Sequence, residues 1–211
     1  RRSFTARFRR RNPATTGGRR VLLWPDTFTN HFDPQIADAA TRVLEAAGCE
    51  VVIPPRPLCC GRPLYDWGML DTATRLLRRI VDTLRPEIEA GTPVIGLEPA
   101  CVSAFRDELP GLLPDEPLAR RLADQTVFFS DFLGELGEPP GLARLGRPAT
   151  LQLHCHHRAM IGADAERRLL DRLGVEIAAE PSGCCGMAGS LGFETAKQDV
   201  SRKAGERALF P

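Results

Sequence analysis

Six of the seven cysteines in this 211-residue chain stand in Gly- or Pro-bounded turns. Cys59 and Cys60 lie in "PRPLCCGRPL", and Cys184 and Cys185 in "PSGCCGMAG". Cys101 lies in "LEPACVS" and Cys155 in "LHCHH". An odd number of cysteines, in a chain long enough to bury a real core, is a poor disulfide framework. Soft thiolates gathered at loop ends select iron–sulfur clusters or zinc. No CxxC spacing occurs, so zinc ribbons and simple ferredoxin sites match poorly. Two sulfurs leaving one tight turn suit bridging two irons better than gripping one tetrahedral ion. Arg56 and Arg62 flank the first pair, and Cys101 stands in the first turn after Pro99. Both settings favour thiolate. His31, His154 and His156 are candidate imidazole ligands.

Blander readings of the same residues exist. A single Cys-Cys-Gly turn could hold two buried thiols or a vicinal disulfide. "GCCGMAGSLG" has the look of a phosphate loop, but lacks the Walker lysine and the dinucleotide glycine spacing. Cys49, before the strand-like "EVVI", reads as a small buried residue. Glu98 and Asp107 read as capping and solvating their helix, "FRDEL" as a charged helix face, and Tyr65 and Trp67 as packing over the first turn.

The elements that must position these cysteines repeat. Val21 to Trp24 reads as a buried strand, and "DPQIADAATRVLEAAG" as a helix with Asp33 as N-cap and Gly48 as stop. "CEVVIP" is a strand, and the first Cys-Cys-Gly turn follows. From residue 149 the order recurs: strand "ATLQLHC", helix "ADAERRLLDRLG", strand "VEIAA", second Cys-Cys-Gly turn. A repeat at this level outranks any single motif. The first copy continues with helix "MLDTATRLLRRIVDTL", strand "TPVIGLE", helix "PACVSAFRDEL" and the pair "TVFFSDFLGEL". A linker, "GEPPGLARLGRPA", follows. The second copy reaches only the helix "ETAKQDVSRKAGERALF".

Alternating strands and helices predict an α/β fold of two pseudo-symmetric repeats, each a short parallel sheet flanked by helices. The second repeat is expected to be truncated. The expected division is a basic linker over 1–20, a first repeat over 21–141 and an incomplete second over 142–211. In such sheets functional groups collect beyond the carboxyl ends of the strands, where all six turn cysteines fall.

Composition narrows the class. Net charge is +1, and eight arginines with no acid occupy residues 1–20, so the other 191 residues carry about −7. The basic start reads as a solvated linker, with an organelle transit peptide as the alternative, and the whole as a piece of something longer. No nucleic-acid role is expected, and no apolar run approaches the roughly 20 residues of a membrane span.

"PLCCGRPLYDWGMLD", "GLEPACVSAFRDEL", "LHCHHRAM" and "GCCGMAGSLGFE" resemble the cysteine-rich CCG domain family over roughly residues 20–211. The family includes the cluster-binding subunit of heterodisulfide reductase. The likeness is to the iron–sulfur regions fused to FAD-linked oxidases of the glycolate oxidase, D-lactate dehydrogenase and D-2-hydroxyglutarate dehydrogenase type. It implies an electron-transfer region of a FAD-dependent D-2-hydroxy acid dehydrogenase. Cys59, Cys60, Cys101, Cys155, Cys184 and Cys185 would hold a 4Fe-4S-type cluster, and no residue would be catalytic. FAD would sit in an upstream domain, and the partners would be flavin and ferredoxin-like domains of the same protein. The location would be cytoplasmic, free or peripheral to the inner membrane, and this region alone would turn over no substrate. The family pattern of lone Cys, Cys-Cys and CxxC is incomplete in the first repeat. Asp26 falls in register with Cys155, and Ala104 stands where the second cysteine of CxxC would be. Zinc in place of iron, a metal-free docking module, and thiol–disulfide catalysis are the alternatives.

Overall fold

Strand β1 (Arg19–Trp24) is apolar on both faces over its last four residues, the pattern of a strand covered from two sides. A computed structural model describes residues 2–12, 17–137, 143–179, 183–189 and 191–210. Helix α1 (Phe4–Phe8) precedes β1, and α2 (Pro34–Ala46) leads to β2 (Cys49–Val52). After the first Cys-Cys-Gly turn come α3 (Arg62–Asp66), α4 (Leu70–Ala90) and β3 (Val94–Gly96). Then follow α5 (Pro99–Ser103), α6 (Leu109–Leu112), α7 (Pro117–Gln125), β4 (Thr126–Phe128) and α8 (Phe129–Leu136). The second half is β5 (Arg147–Thr150), α9 (Cys155–Ile161), α10 (Asp164–Arg172), β6 (Val175–Ala179) and α11 (Gln198–Glu206).

The four strands of the first half are parallel in the order β2-β1-β3-β4. The expected α/β fold is therefore present. Leu22, Trp24 and Val94 face Leu77, Ile80, Leu84 and Ile88 of α4. Val21, Leu23, Val51 and Ile95 face Ala37, Ala40 and Leu44 of α2 and Phe132 of α8. Each such Leu or Ile contributes roughly 1.5–3 kcal/mol on burial. Cys49 is buried in the second of these cores, as its strand context predicted.

The arginine-rich start is more than a solvated tail. Phe4 of α1 is 1% exposed in the core beside α2. Arg7 pairs with Asp38 at 2.5 Å, Arg11 with Glu45 at 2.5 Å, and Arg9 donates to the carbonyls of Pro54 and Pro55. A single aromatic every few residues and acids supplied by α2 let so basic a stretch fold.

The second half echoes the first in small. β5 and β6 pair in parallel, as β1 and β2 do, with α9 and α10 between them. The strand expected over "ATLQLHC" is displaced: its ladder bulges at Ala149/Thr150, and its last bond is Leu151 N to Ala179 O. The chain then turns, and His154 Nδ1 accepts from His156 N to cap α9. Cys155 is thus the first residue of a helix instead of the last of a strand. Only Leu153, His157, Ala163, Gly186 and Gly205 are buried among the described residues of this half. It leans on the first half through α9 on α5, α10 on α8, and His157 stacked on Phe128 at 4.1 Å. Part of the expected linker, 138–142, lies outside the described residues. Among those described, no helix is long and apolar enough to cross a membrane.

Candidate metal centre

The strand order reverses direction about β1 and β3, and the crevice beyond the carboxyl ends at such a switch is where open α/β sheets bind ligands. Asp26 follows β1, Cys59 and Cys60 follow β2, and Glu98 and Cys101 follow β3. Three loops thus deliver their functional residues to one edge.

Asp26 is 3% exposed, and its carboxylate accepts from Phe28 N at 2.8 Å, from Thr29 N at 3.0 Å and from Thr29 Oγ1. It anchors a wide π-type turn, Phe28–Phe32. Glu98 takes the capping role expected of it: its Oε2 accepts from Cys101 N at 2.7 Å. Cys101 and Cys60 are both buried, and their sulfurs lie 3.1 Å apart. Cys59, next to Cys60 in the chain, is exposed.

This packing works against charge. The hydrogen bond with Cys60, then burial, pushes the Cys59 thiol far up. The hydrogen bond with Cys101, together with burial, pushes Cys60 up. At Cys101 the bond to Cys60 favours the thiolate, but burial and the carboxylates of Glu98 and Asp26 outweigh it. Among the described residues, no three His, Cys, Asp or Glu side chains converge on one ion-sized point, so the donors do not fit a single zinc ion.

The second trio is differently placed. β5 and β6 are neighbours, so Cys155 and the Cys184/Cys185 turn leave the same edge. Cys155 and Cys184 are exposed and Cys185 half-buried. Gly186 N donates to Cys184 Sγ at 3.3 Å, an amide placed to support negative charge on sulfur. Nearby, His156 Nδ1 is buried with no hydrogen-bond partner among the described residues. Thiols, an amide donor and an imidazole nitrogen are the donor types of an iron–sulfur ligand shell, and here too no three of the described side chains converge on one ion-sized point. Burial holds His154 below the ordinary imidazole range, with Glu98 opposing.

The two turns share a backbone device. Gly61 and Gly186, the glycines of the two Cys-Cys-Gly triplets, both adopt the left-handed conformation, at φ +80° and +88°. A Cβ on Gly186 would lie 2.0 Å from Ser201 O. Glycine is what lets each turn reverse sharply enough to present two adjacent sulfurs.

Sequence reasoning overlooked the supports. Arg62 bonds Asp66 at 2.8 Å and pairs with the buried Glu108, so of the charged residues in "FRDEL" Arg106 and Asp107 face solvent while Glu108 ties the π-type turn Ala104–Glu108 to the first Cys-Cys-Gly turn. Trp67 stays 57% exposed and is covered by Lys197 Nζ, 5.4 Å from its ring, instead of packing over the turn. Ser201 and Gly205, four apart on α11, present small residues to the second turn. That i, i+4 spacing was the available signal.

The sequence model of the CCG cysteine-rich domain family matches residues 26–106, from Asp26 to just beyond Cys101. Lactate utilization protein A of Bacillus velezensis is 31% identical over 84% of this chain and 76% of its own length. The Bacillus subtilis protein of that name is 30% identical over the same shares. D-2-hydroxyglutarate dehydrogenase of Pseudomonas putida is 28% identical over 90% of this chain, which spans 18% of that longer protein.

Proposed function

Because the chain belongs to the cysteine-rich CCG family that includes lactate utilization protein A, we propose that it carries electrons in the oxidation of a D-2-hydroxy acid through an iron–sulfur cluster. Cys155, Cys184 and Cys185 would hold the cluster, with His156 as the further donor at hand. The observation that carries this reading is the pair of Cys-Cys-Gly turns with matched left-handed glycines, of which the second leaves its thiols unburied. A cluster bound there would accept and release one electron at a time. The chain's own part is to hold it, to screen it with α11, and to face it toward partners.

The substrate class follows the relatives' names, which speak of lactate utilization and of D-2-hydroxyglutarate dehydrogenase. Oxidation of such an acid releases two electrons. A FAD-bearing partner would take these, and ferredoxin-like clusters would pass them on toward this chain, in the cytoplasm, free or against the inner membrane. Purification without oxygen, followed by iron and sulfide analysis and a visible spectrum, tests the reading. Iron, sulfide and a band bleached by dithionite are expected. A folded chain that takes up zinc without sulfide refutes it.

A further inference from the structure

The first trio does not fit a cluster. The two places where a fourth thiolate would stand hold Asp26 and Ala104, and the Asp26 carboxylate is engaged by its own turn. The cavity beside Cys60, lined by Gly61, Arg62, Leu77 and Glu108, measures about 10 Å³. That is room for about one water, not for a cluster of four irons. Meanwhile Cys60 and Cys101 already stand sulfur to sulfur at 3.1 Å, bringing together residues 41 apart in sequence.

We propose that Cys60 and Cys101 form a reversible disulfide, with the exposed Cys59 as the point of entry for the oxidant. Closure needs the sulfurs to approach by about 1 Å, to a bond of roughly 2.05 Å. With a peroxide as oxidant, Cys59 gives up its proton as its sulfur attacks a peroxide oxygen, leaving a sulfenic acid and one water; the raised thiol makes this the slow step. Cys60 displaces the second water and forms the Cys59–Cys60 disulfide. Cys101 then attacks the Cys60 sulfur and releases Cys59 as a thiol. In sum two thiols lose two electrons and two protons, and one peroxide becomes two waters. A bond between neighbouring residues is strained, so exchange to Cys101 runs downhill.

The disulfide would tie the first Cys-Cys-Gly turn to α5, the helix against which α9, the helix that begins at Cys155, packs. Oxidation of the first half is thereby felt at the second. The disulfide stands whether or not the second half carries iron.

The test is peptide mapping of the full chain, purified without oxygen, treated with hydrogen peroxide and alkylated. A peptide joining Cys60 to Cys101, reversed by dithiothreitol, is expected, with iron retained. Cys59→Ala should slow its appearance. Cys101→Ala should abolish the link and leave iron content unchanged. Absence of the Cys60–Cys101 peptide in the parent chain overturns the proposal. Loss of iron from a folded Cys101→Ala chain does so too, since it makes Cys101 a ligand. An unchanged rate in Cys59→Ala removes Cys59 from the path. A parent chain that forms the link but holds no iron refutes the cluster reading alone.

Discussion

The rings of Phe28 and Phe193 stack 17° from parallel with centroids 6.4 Å apart, joining the turn after β1 to the segment after the second Cys-Cys-Gly turn. Both rings are largely exposed, at 46% and 67%, so the contact lies at a rim. It fixes how the carboxyl edge of the first sheet meets the second half. Asp66 lies against Gly189 in the same seam. A double-mutant cycle with Phe28→Ala and Phe193→Ala should return a coupling of about 0.5–1 kcal/mol by urea unfolding. A coupling of zero would mean that this stack contributes nothing to holding the two halves together.

Gly186 is confined by its left-handed backbone and by Ser201 O of α11. Gly186→Ala must displace the helix or the turn. We expect a loss of roughly 2–3 kcal/mol, from left-handed strain and the backbone clash, and weaker metal retention. Thermal melting with iron analysis checks both. A melting temperature within a degree of the parent would show that the turn can relax cheaply.

Arg62 satisfies a carboxylate that water scarcely reaches: the Glu108 side chain is 8% exposed and that of Arg62 16%. Arg62→Ala leaves Glu108 buried beside Ser103 with no cation and should cost about 3 kcal/mol. Arg62→Lys keeps the charge but loses the fork that reaches Asp66 and Glu108 together, so it should recover only part. Urea midpoints of the two variants measure the difference.

The Arg20 hydrogen bond holds Glu87 below its ordinary value of 4.5, with Thr92 Oγ1 donating a second bond at 2.8 Å. The folded state therefore binds the proton less readily than the unfolded chain does. This contribution is fully present above about pH 4.5 and is lost as pH falls through the depressed folded value. Arg20 is 47% exposed, so salt screens much of the effect. Melting curves between pH 3 and 6 should show a shallower acid limb in Glu87→Gln than in the parent.

Sequence pattern made the repeat legible because strand alternation, helix period and turn chemistry agreed twice at the same spacing. β1, β2, β3, β4 and β6 lie where apolar runs predicted them, and α2 and α4 where the helical period did. α1 was hidden because its arginines are matched by acids on α2 that periodicity within residues 1–20 cannot reveal. Asp33 stands at the N-cap of α2 yet makes no capping bond, since the preceding π-type turn sets its backbone away from the helix. The six cysteines fall beyond strand ends as expected. What sequence did not disclose is that the first trio is closed upon itself and the second open, because that depends on side-chain burial set by α4 and α5 packing. The absence of cysteine at Asp26 and Ala104 was the one hint.

If the second Cys-Cys-Gly turn holds an iron–sulfur cluster, its two cysteines are needed to retain iron. Iron and sulfide per chain, measured after anaerobic reconstitution of the parent and of the Cys184→Ser/Cys185→Ser chain, test it most directly. Iron and sulfide are expected in the parent and neither in the variant, with unchanged far-UV circular dichroism. Full iron in the variant, or zinc without sulfide in the parent, would contradict it.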